Sequence, residues 1–307
     1  MIALKSKLWP SFSRSLSTLS RVNVSMQRSV FTGQCLRQAA SAVQQEPLVR
    51  CVEEGGIRTV ILNNTKKRNA LSLPMLESLK EAITRDVDSQ DLMVIVLRSS
   101  GPVFSAGHDL KELRTEEGRD YHRKVFERCT EVMKLVQDIP VPVIAEIRGL
   151  ATAAGCQLVA TCDIAIASEN AKFATPGVNI GVFCHTPGIA VARSIPRKAA
   201  LLMLFTGQPI TAQDALVHGL VSKVVPDDCL EEETMAIAKK IASNSRPVTA
   251  MGKSFFYRQV AMDRDSAYST GEEMMLHNLR LRDSQEGINA FLQKRQPNWS
   301  HDGNAEE

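Results

Sequence analysis

IRGLATAAGCQLVATCDIAIASENAKFATP, residues 147–176, is the stretch from which the fold is read. Its first half carries almost no side chain, with Gly149, Ala151, Ala153, Ala154 and Gly155, and it then turns apolar at helical spacing through Leu158 and Val159. That pattern predicts a loop opening directly into a helix, with a short strand over 164–167 behind it. Small residues let a ligand approach the backbone, and the first N–H groups of a helix have no internal partner, so such a junction suits a partly negative oxygen. The same residues equally suit close packing of a helix on a neighbouring strand, and composition leaves both readings open.

A second stretch repeats the arrangement. Residues 92–97 form a compact apolar run that reads as a buried strand, followed by PVFSAGHDLKEL at 102–113, where Ser105, Ala106 and Gly107 make a small-residue turn into a helix. The first junction is itself reached through the apolar VPVIAEI at 141–147. Two strand–loop–helix junctions can aim two backbone donors at one point, the arrangement needed by a thioester carbonyl that becomes an enolate.

Outward from these junctions the chain reads as α/β. Residues 48–53 and 57–62 are strand-like runs joined through Gly55 and Gly56, a hairpin signal. Ser72 caps a predicted helix with Pro74 in its first turn and Leu76, Leu79, Ile83 and Val87 on one face. A long helix is predicted over 119–138, with Val125, Cys129, Val132, Met133 and Val136 inward, then a strand at 143–147. Strands alternating with helices imply an α/β arrangement, and no glycine fingerprint for a dinucleotide is present. After Pro187 the pattern becomes mainly helical: 189–195, 197–205, a capping box at Thr211 and Asp214 with a stop at Gly219, then 230–243, 248–260, 264–281 and 284–294. The expected division is a leader at 1–45, a core at 46–225 and a helical C-terminal region at 226–300.

The leader has its own chemistry. Lys5, Lys7, Arg14, Arg21, Arg28 and Arg37 precede the first acid, Glu46, and four of them recur every seven residues, opposite Leu4, Leu8, Phe12, Leu16 and Leu19. Pro10 interrupts a single continuous helix, but a basic, serine-rich, acid-poor amphipathic segment is the pattern of a mitochondrial transit peptide; the alternative is a disordered basic tail. Six of the 37 basic residues and none of the 34 acids lie there, so the remainder carries 31 against 34 and the net charge moves from +3 to −3. The basic balance of the whole chain is therefore no argument for nucleic acid. The dense cluster that remains, Lys66, Lys67 and Arg68, is enough for a phosphate and too short for an RNA-binding stripe. The seven cysteines show no C-x-x-C pair and the six histidines no i, i+4 pairing, so a reducing compartment and no metal are expected. At 44% apolar residues the 307-residue chain can bury a large core, and no apolar run reaches the roughly 18 residues of a membrane span.

FSAGHDLKEL at 104–113, GLATAAGCQL at 149–158 and CDIAIASENAKFATP at 162–176, with RNALS at 68–72 and FTGQPITAQDALVHGLVSKVVP at 205–226, together resemble the enoyl-CoA hydratase/isomerase (crotonase) family. The resemblance covers 46–297 and is nearest to a mitochondrial group within the family. It implies a ClpP-like spiral of β-β-α units, a helical C-terminal trimerisation region, a homotrimer or hexamer, and a CoA thioester bound without a separate cofactor in fatty-acid metabolism of the mitochondrial matrix. It places the two carbonyl-holding donors at the His108 and Ala154 amides, and the two glutamates of standard hydratases at Gln157 and Gly177. A glutamine amide cannot take a proton near neutral pH and glycine offers no group. A placed acid or base is worth about 10² to 10⁴ in rate, so hydration is expected to be weak or absent and isomerase-like or other one-base chemistry remains.

Three replacements are open by the same resemblance. His185 lies where dienoyl-CoA isomerases of the family carry an aspartate, against the alternative of a loop histidine touching only solvent or backbone. A bicarbonate beside Gly177, as in naphthoate synthases, is the second. Asp109 is the third, although local hydrogen bonding at a helix start is its simpler role. For CoA, the backbone around His108, Asp109, Leu110 and Lys111 is expected to meet adenine and pantetheine. Lys67 or Arg68 would meet phosphate, or else form a solvated loop, and Phe291 and Lys294 would serve a neighbour's pocket. The rival class is a non-catalytic acyl-CoA sensor or assembly partner that keeps the pocket and not the chemistry.

Overall fold

Strand β1 (Val49–Glu54) turns through Gly55 and Gly56 into β2 (Ile57–Leu62), paired antiparallel from Val49 opposite Leu62 to Glu54 opposite Ile57. The computed structural model describes residues 46–304, so the leader and its expected targeting role lie outside the described residues. Helix α1 (Leu73–Thr84) starts as predicted, with Ser72 Oγ accepting the Met75 N–H at 3.4 Å and Leu76, Leu79 and Ile83 buried. It ends before Val87, because Arg85 has left the helical region and Asp86 sits at φ 44°; Val87 packs against the core from the turn beyond.

The chain then repeats a strand, a second strand and a helix three times. The units are β3 (Val94–Ser99), β4 (Val103–Ser105) and α2 (Arg119–Asp138); β5 (Val143–Ile147), β6 (Leu150–Thr152) and α3 (Ala154–Thr161); β7 (Ile164–Ser168), β8 (Lys172–Ala174) and α4 (His185–Ser194). The first strand of each joins one sheet and the second joins another. Residues 150–152, read from composition as loop, are a strand of the second sheet. At the corner between β5 and β6, Gly149 has φ 70° and a Cβ there would lie 1.9 Å from the Pro102 carbonyl oxygen, so only glycine makes this turn.

Helix α5 (Arg197–Thr206), β9 (Ile210–Thr211), α6 (Ala212–His218) and β10 (Lys223–Val225) follow, with the capping box of Thr211 and Asp214 formed in both directions and Gly219 ending α6 at φ 84°. The larger sheet runs β1-β2-β3-β5-β7-β10 and the smaller β4-β6-β8-β9; β1 and β9 alone are antiparallel to their neighbours.

One face of the larger sheet packs Ile95, Leu97 and Ala145 against Leu79 of α1, Val132 of α2 and Leu158 of α3. The other packs Val94, Val96, Ile144 and Ile166 against Leu230 and Ala238 of α7 (Leu230–Ala242). Covered on both sides, β3 and β5 are apolar through Val94–Leu97 and Val143–Ala145, and Glu146 is the one charged residue buried within β5. The helices that leave the sheet are α8 (Arg246–Gln259), α9 (Arg264–Leu279) and α10 (Arg282–Leu292). The buried Lys253 of α8 donates to Val136 O, Val141 O and Asp163 Oδ2 at 2.7–2.8 Å, and Tyr257 donates to Asp163 Oδ1 at 2.7 Å, pinning α8 to the core. Among the described residues no helix is long and apolar enough to cross a membrane.

Candidate active site

The first small-residue loop takes its shape from the RNALS turn. Ala106 N–H donates to Arg68 O at 3.0 Å and Leu71 N–H to Gly107 O at 2.7 Å. Ser105 Oγ donates to Asn69 O at 2.8 Å and accepts the Gly107 N–H at 3.2 Å. Asn69, fully buried at φ 51°, closes the turn: its Nδ2 donates to Ser100 O and Val103 O at 2.9 and 2.8 Å, and its Oδ1 accepts the Asn64 N–H at 2.8 Å.

The second loop is bent at Ala153, whose φ of 51° and ψ of −119° are strained for a residue with a Cβ. Its N–H donates to Ala174 O at 2.9 Å, and α3 begins at the next residue. The loops touch: a Cβ on Gly107 would come 2.8 Å from Ala153 Cβ and 3.2 Å from Ala154 N, and one on Gly155 would come 2.7 Å from Ser105. Close packing and an open helix start, alternatives by composition, therefore coexist. Among the described residues neither the His108 N–H nor the Ala154 N–H meets a backbone acceptor.

Both residues line a cavity of about 740 Å³, together with Leu110, Gly177 and His185. Phe126 of α2 and Leu113, Ile180 and Val182 give the rest an apolar character, and among the described residues no carboxylate, lysine or arginine lines it. Gln157 does not reach this cavity: it is 6% exposed inside α3, and its Oε1 finds no partner among the described residues. The direction in which a side chain would leave Gly177 is filled, although the residue itself lines the cavity. A Cβ there would lie 2.1 Å from Val182 O and 2.9 Å from Cys184 Sγ. Burial pushes the Cys184 thiol up, against a hydrogen bond from the Gly177 backbone that lowers it. His185 stands exposed at the start of α4, edge-on to Phe183 at 5.0 Å.

Of the expected CoA contacts, Leu110 alone lines the cavity besides His108. Asp109 caps the short turn after it, accepting the Lys111 N–H at 3.1 Å, and is paired with Lys67 Nζ at 2.8 Å, which holds its carboxyl below the usual range. Phe291 is 83% exposed and borders a separate groove between α8 and α10; within one chain neither it nor Lys294 lines the cavity.

Sequence reasoning used only the backbone of His108. Its ring Nδ1 lies 3.1 Å from Leu71 O, and a carbonyl only accepts, so Nδ1 carries the proton and Nε2 presents a bare lone pair. That Nε2 is buried without a partner among the described residues, and the ring stands edge-on to Phe126 at 5.4 Å. Burial holds the imidazole below its usual 6.5. Below that pH the unfolded chain takes up a proton that the folded one refuses, so this group removes stability as the pH falls from about 6.5. An NMR titration of the His108 ring protons should give a midpoint under 6.5; a midpoint at or above it would mean that the ring is wet.

The enoyl-CoA hydratase/isomerase family model matches residues 52–302, from within β1 to beyond α10. The chain belongs to that family. Within the enoyl-CoA hydratase/isomerase family, it is 59% identical over 271 residues to "Enoyl-CoA hydratase domain-containing protein 3, mitochondrial" of Homo sapiens, covering 87% of this chain and 89% of the relative. The crystal structure of the human enoyl coenzyme A hydratase domain-containing protein 3 superposes with a TM-score of 0.81 at 60% identity, over 82% of this chain and all of that one. An enoyl-CoA hydratase structure from Mycobacterium smegmatis gives 0.81 at 47% identity, over 83% of this chain and 99% of that one. The crotonase spiral implied by the motifs is the architecture found.

Proposed function

We propose that this chain is a mitochondrial acyl-CoA-binding protein of fatty-acid metabolism whose site polarises a thioester carbonyl and transfers a single proton, with hydration weak or absent. The observation that carries the reading is the pair of free amides, His108 and Ala154, on adjacent loops in the wall of one apolar cavity. The lack of a lining carboxylate among the described residues argues against a two-acid addition of water. Mitochondrial matrix placement rests on the acid-free basic leader and on the names of the relatives. Assembly as a homotrimer or hexamer is supported by the exposed Phe256, Tyr268, Leu276, Phe291 and Leu292 on α8, α9 and α10. In that assembly Phe291 and Lys294 would reach a neighbour's CoA, while Lys67, Arg68, Asp109 and Lys111, outside the cavity lining, would meet the part of its own CoA that projects from it.

Titration calorimetry with butanoyl-CoA should show saturable one-site binding, and hydration of crotonyl-CoA should run about 10²- to 10⁴-fold below that of a relative carrying both glutamates. Brisk hydration by the unmodified chain would contradict the reading. The filled side-chain position at Gly177, which leaves no room for an acid there, favours a second one, an acyl-CoA sensor, which predicts the same binding with no proton transfer to any acyl-CoA.

A further inference from the structure

Residues 170–213 carry no acid: Glu169 and Asp214 are the nearest on either side, and Lys172, Arg193, Arg197 and Lys198 lie between them. The stretch holds the cavity wall from Pro176 to Pro187 and then α4 and α5, so one side of the cavity is framed by basic and apolar surface. Helix α5 lays the pattern out along one face. Its exposed positions fall in pairs four residues apart, Arg197 and Lys198, Leu201 and Leu202, Phe205 and Thr206, while Ala200, Met203 and Leu204 are buried. Leu202 and Phe205 are each 63% exposed. The core-facing side of α5 is already supplied, so the folding of one chain does not call for these two.

This face runs into the cavity rim. The Phe205 ring centre lies 6.0 Å from that of Phe183, and a Cβ on Gly207, which ends α5, would come 2.7 Å from Asn179 Nδ2 and 3.0 Å from Pro176 Cα. Phe183, Asn179 and Pro176 all line the cavity, and Ile180 and Val182 line it while still reaching solvent. An exposed apolar strip therefore leads from the cavity to α5, and the two cations stand roughly 10 Å further along the helix at about 1.5 Å per residue.

We infer that the exposed face of α5 docks on an anionic lipid bilayer, with Leu202 and Phe205 entering the acyl boundary, Arg197 and Lys198 meeting lipid phosphates, and the cavity rim at Ile180 and Val182 brought against the membrane. A bilayer satisfies both halves of the face at once, since its acyl region takes the apolar side chains and its headgroup layer takes the cations. The chain beyond residue 45 is net negative, so a general attraction to an anionic surface is not expected, and the acid-free stretch is where that repulsion is locally reversed. A second copy set face to face would cover the apolar half and leave the cations without counter-charge, because residues 170–213 hold no acid. One ten-residue helix gives weak, reversible docking. The docking stands apart from the proposed function, and only its use rests on it: an acyl-CoA whose chain lies in the bilayer enters the cavity from the membrane side.

The test uses the full chain and vesicles of phosphatidylcholine and phosphatidylglycerol in a three-to-one ratio, beside vesicles of phosphatidylcholine alone. The basic leader can hold anionic vesicles by itself, so the readout is placed on α5. In a Phe205→Trp variant the added fluorescence should shift to the blue on the anionic vesicles and be quenched by brominated lipid. Arg197→Ala with Lys198→Ala should lower the docked-to-undocked ratio of α5, read from the shifted fraction, by about 25-fold, at about fivefold per cation. Leu202→Glu should abolish the shift and leave butanoyl-CoA binding and the unfolding midpoint as they were, since the side chain is exposed and lies outside the cavity lining. An unshifted tryptophan on a chain that still floats with the vesicles, or an equal shift on phosphatidylcholine alone, overturns the inference. So does a shift that appears without vesicles and grows with protein concentration, which would mean that a second copy covers the face. Docking without butanoyl-CoA binding removes the proposed function and keeps the docking; binding without docking does the reverse.

Discussion

Gly177→Glu, alone or with Gln157→Glu, is expected to cost the fold about 3 kcal/mol or more and to restore no hydration. A Cβ at position 177 would sit 2.1 Å from the Val182 carbonyl oxygen and 2.9 Å from Cys184 Sγ, and the same turn is tied by the Val182 N–H donating to Gly177 O at 3.0 Å. The Val182 contact is backbone and cannot swing aside, so relief means opening the turn from 177 to 182, which also lines the cavity. The second substitution fares no better. A carboxylate at position 157 would enter an interior where the present Oε1 already lacks a partner, and burial would hold it protonated and distant from the cavity. Thermal unfolding should show a midpoint lowered by roughly 6–12 °C, given about 2–4 °C per kcal/mol for a chain of this size. Crotonyl-CoA hydration should stay at the unmodified level. A stable double variant with hydratase turnover would show that the turn opens at little cost.

The reason this was hidden in the sequence is that glycine there reads as space, whereas the folded chain uses its missing Cβ to let a neighbouring carbonyl in. Length decides much of the rest. The first strand of each β-β-α unit has five or six residues and a clear apolar run, and α2 shows its inward stripe at Val125, Cys129, Val132, Met133 and Val136. The second strands, β4, β6 and β8, have three residues each, too few for any period to show, and one of them lies within the loop from which the site was first read.

The two amides were reachable because a backbone donor needs only a small-residue turn, and motif order located both. Gln157 was placed beside the reaction by its motif, but α3 is buried from Ala154 through Val159, so helical phase carries no information about which side faces the cavity. The His108 side chain gave no signal at all. Its meaning depends on Leu71 O, 37 residues earlier, and on Phe126 from another helix.

Asn69→Ala is expected to destabilise the chain by about 3 kcal/mol and to disable the first donor even where the protein still folds. The substitution removes the acceptor of the Asn64 N–H and both donors to Ser100 O and Val103 O, and it leaves a residue with a Cβ at φ 51° without the side-chain bonds that hold it there. The damage travels through geometry. Asn69 O accepts from Ser105 Oγ, which accepts the Gly107 N–H, while Arg68 O and Leu71 N close the loop from either side, so the turn fixes the direction in which the next amide, that of His108, points. Losing one oxyanion donor costs about 10²–10³ in rate, and a comparable loss is expected in any turnover that depends on the polarised carbonyl. Ser105→Ala separates the two effects. It removes one link and leaves Asn69 in place, so stability should fall by about 1 kcal/mol, with a smaller loss of turnover. Denaturant unfolding and 3-hexenoyl-CoA kinetics on both variants measure this, and an Asn69→Ala chain that keeps its stability and its rate would show that the first loop holds its shape without the turn beneath it.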